Sequence, residues 1–562
     1  MRKRRILIIP GIILVLVLLI LARCQTDAPQ EFPDPRQFDA DTLASGPDLP
    51  EVQVRPGQTL VAEQIVVIGG GADIDLVIGD LPELALEQLS STSYDYLEQY
   101  PPPERDGDIR QQTQGKRLHA STPLQQASAL RVDLYQFTAA TPSLSDTLQQ
   151  IAAKVEERQS DLEVGVVAEP NYVMGFQITG DPWAIEGSPW AIEGSPWAIE
   201  GSSTNASSYS SDYFWEQWAL QPLPGINLFA SDTPPAGRSI DSDGDDVQVA
   251  VFDTSPFEAE GGYSFDGWGP PEIDPLALTV SHPVALPTSL PEQEGNISDH
   301  GLFVSGLIYA VAPASDIHLI RVLNDEGQGT LQGLIDAFNL YMQQRLAAQG
   351  TLQNTVINLS LGKSDPSEEE LPPEAQRAID RMLELWGYTP MPGDRRPVIS
   401  MEIPILIADL YGASIVAASG NDSAAETDGT PLSSQIPAAY PLVVGVQAGN
   451  RTPARSCYAN EGDLMAPGGD GDTGCVPAHT TCPTDSDSGD CDFGVTSYAL
   501  VAHKGFAYWV GTSFATPLVS GLAADVIQAK GSPSPDEVQA ALLCSAQASG
   551  VVDAVAATSS CP

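Results

Sequence analysis

The chain of 562 residues is long enough for two or more domains, and its hydrophobic content of 42% is that of an ordinary globular protein. Its 74 acidic residues against 26 basic ones give a net charge of −48, which argues against a nucleic-acid partner because a phosphate backbone would be repelled. Solubility outside the cell and adaptation to high salt both fit that charge, and composition alone does not separate them.

At the N-terminus Arg2, Lys3, Arg4 and Arg5 precede an uncharged apolar run from Ile6 to Ala22, followed by Arg23 and Cys24. Residues 1–24 therefore read as a signal peptide or a membrane anchor. In either case the basic cluster stays in the cytoplasm and the rest of the chain lies on the far side of the membrane. The protein is expected to be secreted, or held at the membrane through residues 6–22 or through Cys24. LARC faintly resembles the bacterial lipoprotein signal, with Arg23 standing where that signal has a small residue.

Residues 25–50 are rich in Pro, Asp and Gln and read as a flexible spacer. Residues 51–180 carry the strand-like runs QIVVIGG and LRVDLYQF, the helical pattern LSDTLQQIAAKVEERQ and a further strand in EVGVVAEPNYV, which together predict a small α+β domain. Residues 181–211 hold three copies of PWAIEGS and then SSTNASSYSS. A seven-residue period suggests a coiled coil, but a proline in every copy excludes a helix, so the stretch reads as a linker. The alternative is that its tryptophans dock on a surface or a partner.

Residues 212–562 alternate apolar strands with helices: VQVAVF, IHLIRVL, TVINLSL, SIVAASG and PLVVGVQA, separated by patterns such as GLIDAFNLYMQQRLAA and ATPLVSGLAADVIQAK. That alternation predicts an α/β fold with a doubly wound, mainly parallel sheet and flanking helices, whose chemistry gathers at the carboxyl ends of the strands. Asp253 ends the first of these strands, in FDTSPF; His300 opens the helical pattern DHGLFVSGLIYAVAP; Asn421 follows Gly420 in SIVAASGND; and Ser513 begins a helix in VGTSFATPLVSGLAA. Each has an ordinary explanation by itself, as a turn, a surface residue or a helix cap.

Together, in the order Asp, His, Asn, Ser and with glycine or small residues beside each, they resemble the subtilisin-like serine proteases, and GTSFATP is the most specific element. The resemblance covers the chain from about Gln217 onward and implies a serine endopeptidase acting through an acyl-enzyme. Ser513 would be its nucleophile, His300 the general base and then acid, and Asp253 the group that orients the imidazole. Asn421 and the helix beginning at Ser513 would form the oxyanion hole. Ser360, Leu361 and Gly362 in INLSLG, and Ala418, Ser419 and Gly420 in VAASGN, match the two segments that flank a substrate backbone, so protein or peptide substrates would bind as an added strand.

Departures are visible too. Ser255-Pro256 follows Asp253-Thr254 where the family usually has glycine, Phe303 replaces a second histidine, and Leu518 replaces another after the proline of the serine motif. The unusual aspartate loop keeps open an alternative, a catalytically inactive relative acting as a surface-binding or scaffold protein. The stretch 363–413 is longer than a minimal member needs and could form a surface helix beside the cleft. VVAEPNYV resembles the end of the family's propeptide, an intramolecular inhibitor whose tail lies in the active-site cleft, which makes a precursor the expected form and the repeats a tether. Six cysteines, Cys457, Cys475, Cys482, Cys491, Cys544 and Cys561, lie near the C-terminus and suggest disulfides in an exported region, with Cys482–Cys491 the simplest local pair. The chemistry implied needs no cofactor. DSDGDD at 241–246 and TDSDSGDCD at 484–492 carry closely spaced carboxylates of the kind calcium favours, or are solvated acidic loops.

Overall fold

The computed structural model describes residues 36–38, 53–54, 59–100, 102, 127–137, 143–175, 211–229, 237–265, 274–289, 297–363, 371–388, 397–425, 430–469, 494–500 and 505–561. The PWAIEGS repeats, the apolar N-terminal run, Cys482, Cys491 and the acidic stretch at 484–492 lie outside these residues. Among the described residues no helix is long and apolar enough to cross a membrane.

Two short strands come first, β1 (Arg36–Phe38) and β2 (Gln53–Val54). A first unit follows: β3 (Leu60–Gly70), α1 (Gly71–Gly79), β4 (Glu87–Ser93), β5 (Leu130–Gln136), α2 (Leu144–Arg158) and β6 (Val166–Gly175). Helix α2 starts where Ser143 and Asp146 form a capping box, and it buries Leu148, Ile151, Ala152 and Val155, the i, i+3, i+4, i+7 stripe of an amphipathic helix.

The remainder contains α3 (Ser211–Glu216), β7 (Gln248–Asp253), β8 (Gly261–Ser264), β9 (Ala277–Ser281), β10 (Thr288–Ser289), α4 (His300–Val311), β11 (Asp316–Arg321), β12 (Gln328–Thr330), α5 (Leu331–Gln349) and β13 (Thr355–Leu359). It continues with α6 (Pro373–Trp386), α7 (Ile399–Leu410), β14 (Ala413–Ala418), β15 (Val443–Gly449), β16 (Leu464–Pro467), β17 (Val495–Ala499), β18 (Gly505–Trp509), α8 (Thr512–Lys530) and α9 (Pro535–Ala546). The main sheet has the order β1-β8-β9-β11-β7-β13-β14-β15-β16. All its pairs from β9 to β16 are parallel, and at one edge β8 alone runs the opposite way, antiparallel to both β9 and β1. Strand alternation divides two cores: Ala250 and Phe252 of β7 face the side of α5 and α7, while Val249 and Val251 face α4 and α8. Later strands add on both sides of β7, so the order switches beside β7 and β13, where a doubly wound sheet opens a crevice at its carboxyl ends.

Two placements differ from the sequence reading. Within the stretch expected as a flexible spacer, Arg36–Phe38 pairs antiparallel with Gly262–Ser264, completing an edge whose backbone groups would otherwise lack partners. Helix α6, expected beside the cleft, instead packs on α2 and β6 of the first unit. Its stripe Ala375, Ile379, Met382, Leu383 and Trp386 is buried there, and Arg381 reaches Glu156 of α2 at 2.7 Å. Cys544 and Cys561 form a disulfide that ties α9 to the end of the described chain, and Cys457 is also disulfide-bonded. Among the described residues no group of three or more His, Cys, Asp or Glu side chains is gathered to hold a metal ion. In the acidic loop at 241–246, the backbone amides of Asp243 and Gly244 donate to the side-chain Oε1 of Gln528 at 2.7 and 2.9 Å, tying it to α8.

Candidate active site

Asp253 closes β7 and is fully buried, with its carbonyl held by the amides of Val322 and Leu323 at 2.9 and 3.2 Å. Its carboxylate faces the ring of His300, also fully buried: Nδ1 lies 2.8 Å from Oδ1 and 3.0 Å from Oδ2. A carboxylate can only accept, so Nδ1 donates, and the neutral imidazole presents its lone pair at Nε2. Thr254 ties strand to helix. Its hydroxyl donates to the Ser298 carbonyl at 2.9 Å and accepts from the Gly301 amide at 3.1 Å. A β-carbon on Gly301 would stand 2.2 Å from the Thr254 carbonyl, so only glycine lets α4 approach β7 this closely. The Ser255-Pro256 departure leaves the Asp253–His300 pair in place.

Ser513 is the second residue of α8, and Phe514 beside it brings its ring to 5.1 Å from that of His300. The serine hydroxyl donates to the Ser360 carbonyl at 2.8 Å, and the Ser360 hydroxyl donates in return to the Ser513 carbonyl at 2.8 Å. Pro517 explains the second bond. It has no amide proton to give the carbonyl four residues back, so the Ser513 oxygen needs a donor from elsewhere. Ser360→Ala is therefore expected to lose about 1–3 kcal/mol of stability, the usual cost of a buried carbonyl without a donor. Urea denaturation measures it, and an unchanged midpoint would mean another group replaces the hydroxyl.

Asn421 is positioned by the start of the same helix: its Oδ1 accepts from the Thr512 amide at 3.0 Å and the Thr512 hydroxyl at 3.1 Å. With the oxygen engaged, Nδ2 is the side of the amide left to meet a reacting oxygen. The neighbouring segment Ala418–Gly420 behaves differently from the expected substrate flank. Ser419 is bonded through its main chain to Val446 and Gln435, and Gly420 to the Thr512 hydroxyl and to Asn460, which fixes this segment beside Asn421 but takes these groups out of strand pairing.

The segment 360–362 meets another part of the same chain. Gly362 and Gly175, the last residue of β6, exchange both backbone hydrogen bonds at 3.2 and 3.3 Å, and on its other side β6 pairs antiparallel with β12, Gly175 opposite Gln328 and Val173 opposite Thr330. The chain's own strand thus lies between Gly362 and β12. Gly175 has φ 139°, and a β-carbon there would meet the Gly327 carbonyl at 2.0 Å. Sequence reasoning missed β12, whose only local sign is the glycine-rich DEGQGT after β11. It also missed the ring cluster around His300: Trp509 lies 5.9 Å from the imidazole and stacks at 4.8 Å on Phe303, the residue noted only as a departure.

The profile of the subtilase family matches residues 279–558. Minor extracellular protease Epr of Bacillus subtilis is 25% identical over an alignment covering 46% of this chain and 31% of its own, so the chain spans less than a third of that relative. Subtilisin BL of Lederbergia lenta is 26% identical, over 58% of this chain and 95% of its own. Among solved structures, fervidolysin from Fervidobacterium pennivorans is similar at a TM-score of 0.48 and 14% identity, over 93% of this chain and 65% of that one. By its profile match and its relatives, the chain belongs to the subtilase family of subtilisin-like serine proteases.

Proposed function

We propose that the protein is an exported serine endopeptidase, made as a precursor, that cuts peptide bonds with Asp253, His300 and Ser513. The observation that carries this is the buried Asp253–His300 pair beside the N-terminus of α8, which bears Ser513 and packs against Ser360. Ser513 Oγ attacks the scissile carbonyl while His300 Nε2 takes its proton, and Asp253 stabilises the imidazolium that forms. The positive end of α8 and Asn421 Nδ2 meet the negative charge developing on the carbonyl oxygen. His300 then gives its proton to the leaving amine, the acyl-enzyme forms, and water releases the acid by the reverse proton path.

Residues 51–180 act as the propeptide in this reading, supported by the position of Val173–Gly175 between Gly362 and β12. Export is supported by the basic and apolar N-terminus and by a relative named as extracellular. Membrane attachment, if retained, would run through residues 6–22 or Cys24. The test is a fluorophosphonate probe, which reacts with an activated serine. Peptide mass analysis should place the label on Ser513, with none in Ser513→Ala. A folded, processed protein that takes no label would leave the inactive scaffold as the better reading.

A further inference from the structure

Asp253 holds the His300 imidazole by one edge. Both carboxylate oxygens meet Nδ1, at 2.8 and 3.0 Å, and a hydrogen bond tolerates about 30° of misalignment. Nε2 lies further round the ring, so those bonds alone leave its aim loose. Aromatic packing limits the tilt. The Phe514 ring lies 5.1 Å from the imidazole at 49°, and the Trp509 ring 5.9 Å from it at 28°. Both neighbours are held in turn by Phe303, one turn along α4 from His300, which stacks on Trp509 at 4.8 Å and 14° and meets Phe514 edge-on at 4.9 Å. His300, Phe303 and Phe514 are fully buried and Trp509 nearly so, which leaves these rings little room to move. Trp509 ends β18 opposite Val495 of β17, and the Ser497 hydroxyl of β17 donates to the Phe303 carbonyl at 2.6 Å. The strand that carries Trp509 is thus tied, through β17, to the helix that carries His300. The Trp509 Nε1 is buried with no hydrogen-bond partner among the described residues, so packing alone fixes the indole. The second histidine usual in the family at position 303 would bring another titratable ring into this cluster, and phenylalanine keeps it apolar.

We propose that Trp509 and Phe303 are positioning residues for His300: by packing rather than by polar contact, they hold the imidazole so that Nε2 reaches Ser513 Oγ and then the leaving nitrogen. Acylation asks one ring to take the Oγ proton as the carbonyl is attacked, and to give that proton to the amine as the C–N bond breaks. The two partners stand at different points. A ring free to rock meets each of them less often in line, and a misplacement of about 1 Å costs on the order of 10²-fold in rate. Asp253 sets the tautomer, and the rings set the aim. The inference rests on the endopeptidase reading above.

The test compares a bond that needs the returned proton with one that does not. One acyl peptide, ending at the residue after which the wild-type chain processes itself, is made as a p-nitroanilide, which is an amide, and as a p-nitrophenyl ester, whose leaving group departs as an anion. The full chain is expressed as wild type, Trp509→Leu, Trp509→Phe and Phe303→Leu. Variants slow to process are cut with immobilised wild-type enzyme, which is then removed. Fluorophosphonate labelling taken to completion counts competent molecules, and kcat/KM per labelled molecule reports acylation for both substrates. Trp509→Leu is expected to lose about 100-fold on the amide and about tenfold on the ester, so that their ratio falls about tenfold. Phe303→Leu should move the ratio the same way by a smaller factor. Trp509→Phe restores a flat ring and lacks only an N–H without a partner, so its ratio should lie within about threefold of wild type. Loss of folded molecules lowers both activities together and disappears on counting. An amide-to-ester ratio unchanged in both leucine variants would therefore overturn the proposal, as would a Trp509→Phe enzyme as impaired as Trp509→Leu. A wild-type enzyme that takes no label and cleaves neither substrate would instead overturn the endopeptidase reading.

Discussion

Ser513→Ala should accumulate as uncut precursor when no other protease is present, while the wild-type chain yields a shorter species with a new N-terminus. Loss of the nucleophile removes about 2 × 10⁶ in turnover, the figure already established for subtilisin itself, so no residual self-cleavage is expected on the time scale of expression. If residues 181–211 are a tether after a propeptide, the cut is expected between about Val173 and Ser211. Strand register narrows it. Gly175 exchanges both hydrogen bonds with Gly362, and Ser360, whose carbonyl the nucleophile touches, lies two residues back along that strand. Antiparallel partners advance residue for residue, so a chain bound in this register meets Ser513 two residues beyond Gly175. N-terminal sequencing of the processed protein should therefore begin at Ile178, after Gln177. A first cut far downstream, within the PWAIEGS repeats, would mean that the Gly175–Gly362 pairing is not the register in which the chain is cleaved.

Asn421→Ala should lower turnover far more than it changes KM, because its amide meets the carbonyl oxygen most strongly once that oxygen is an anion. The loss established for one such donor in subtilisin is about 10²–10³-fold in kcat. Here a second effect has to be separated from the first. Asn421 Oδ1 also holds the Thr512 amide and hydroxyl, so alanine removes a support at the start of α8 as well as a donor. Asn421→Asp keeps an acceptor for both Thr512 groups and lacks the donor. If the donor is what matters, Asp will be as slow as Ala or slower, since it sets a negative charge against the developing one. If the support matters, Asp will recover most of the rate. Steady-state kinetics on the three proteins decides between them.

The candidate residues could be picked out from the chain because each lies in a local pattern. Asp253 ends a buried strand, His300 and Ser513 open helices, and Asn421 follows a glycine, so each chemical residue sits at the end of an element whose period is visible in about ten residues of sequence. The parallel sheet was legible for the same reason, since strands buried on both faces read as continuous apolar runs such as TVINL and SIVAA.

What the sequence determined was therefore which residues are the candidates and the element each one ends, both written in short-range pattern. Only the tertiary structure decided which elements meet: that β6 runs between Gly362 and β12, that α6 covers the first unit rather than the cleft, that Arg36–Phe38 closes a sheet edge, and that Cys544 bonds Cys561. The physical reason is common to all four. An edge strand, an apolar helical stripe or a cysteine specifies that it needs a partner, but many partners satisfy it equally over short range. The choice is made by burial and hydrogen bonding summed over the whole chain.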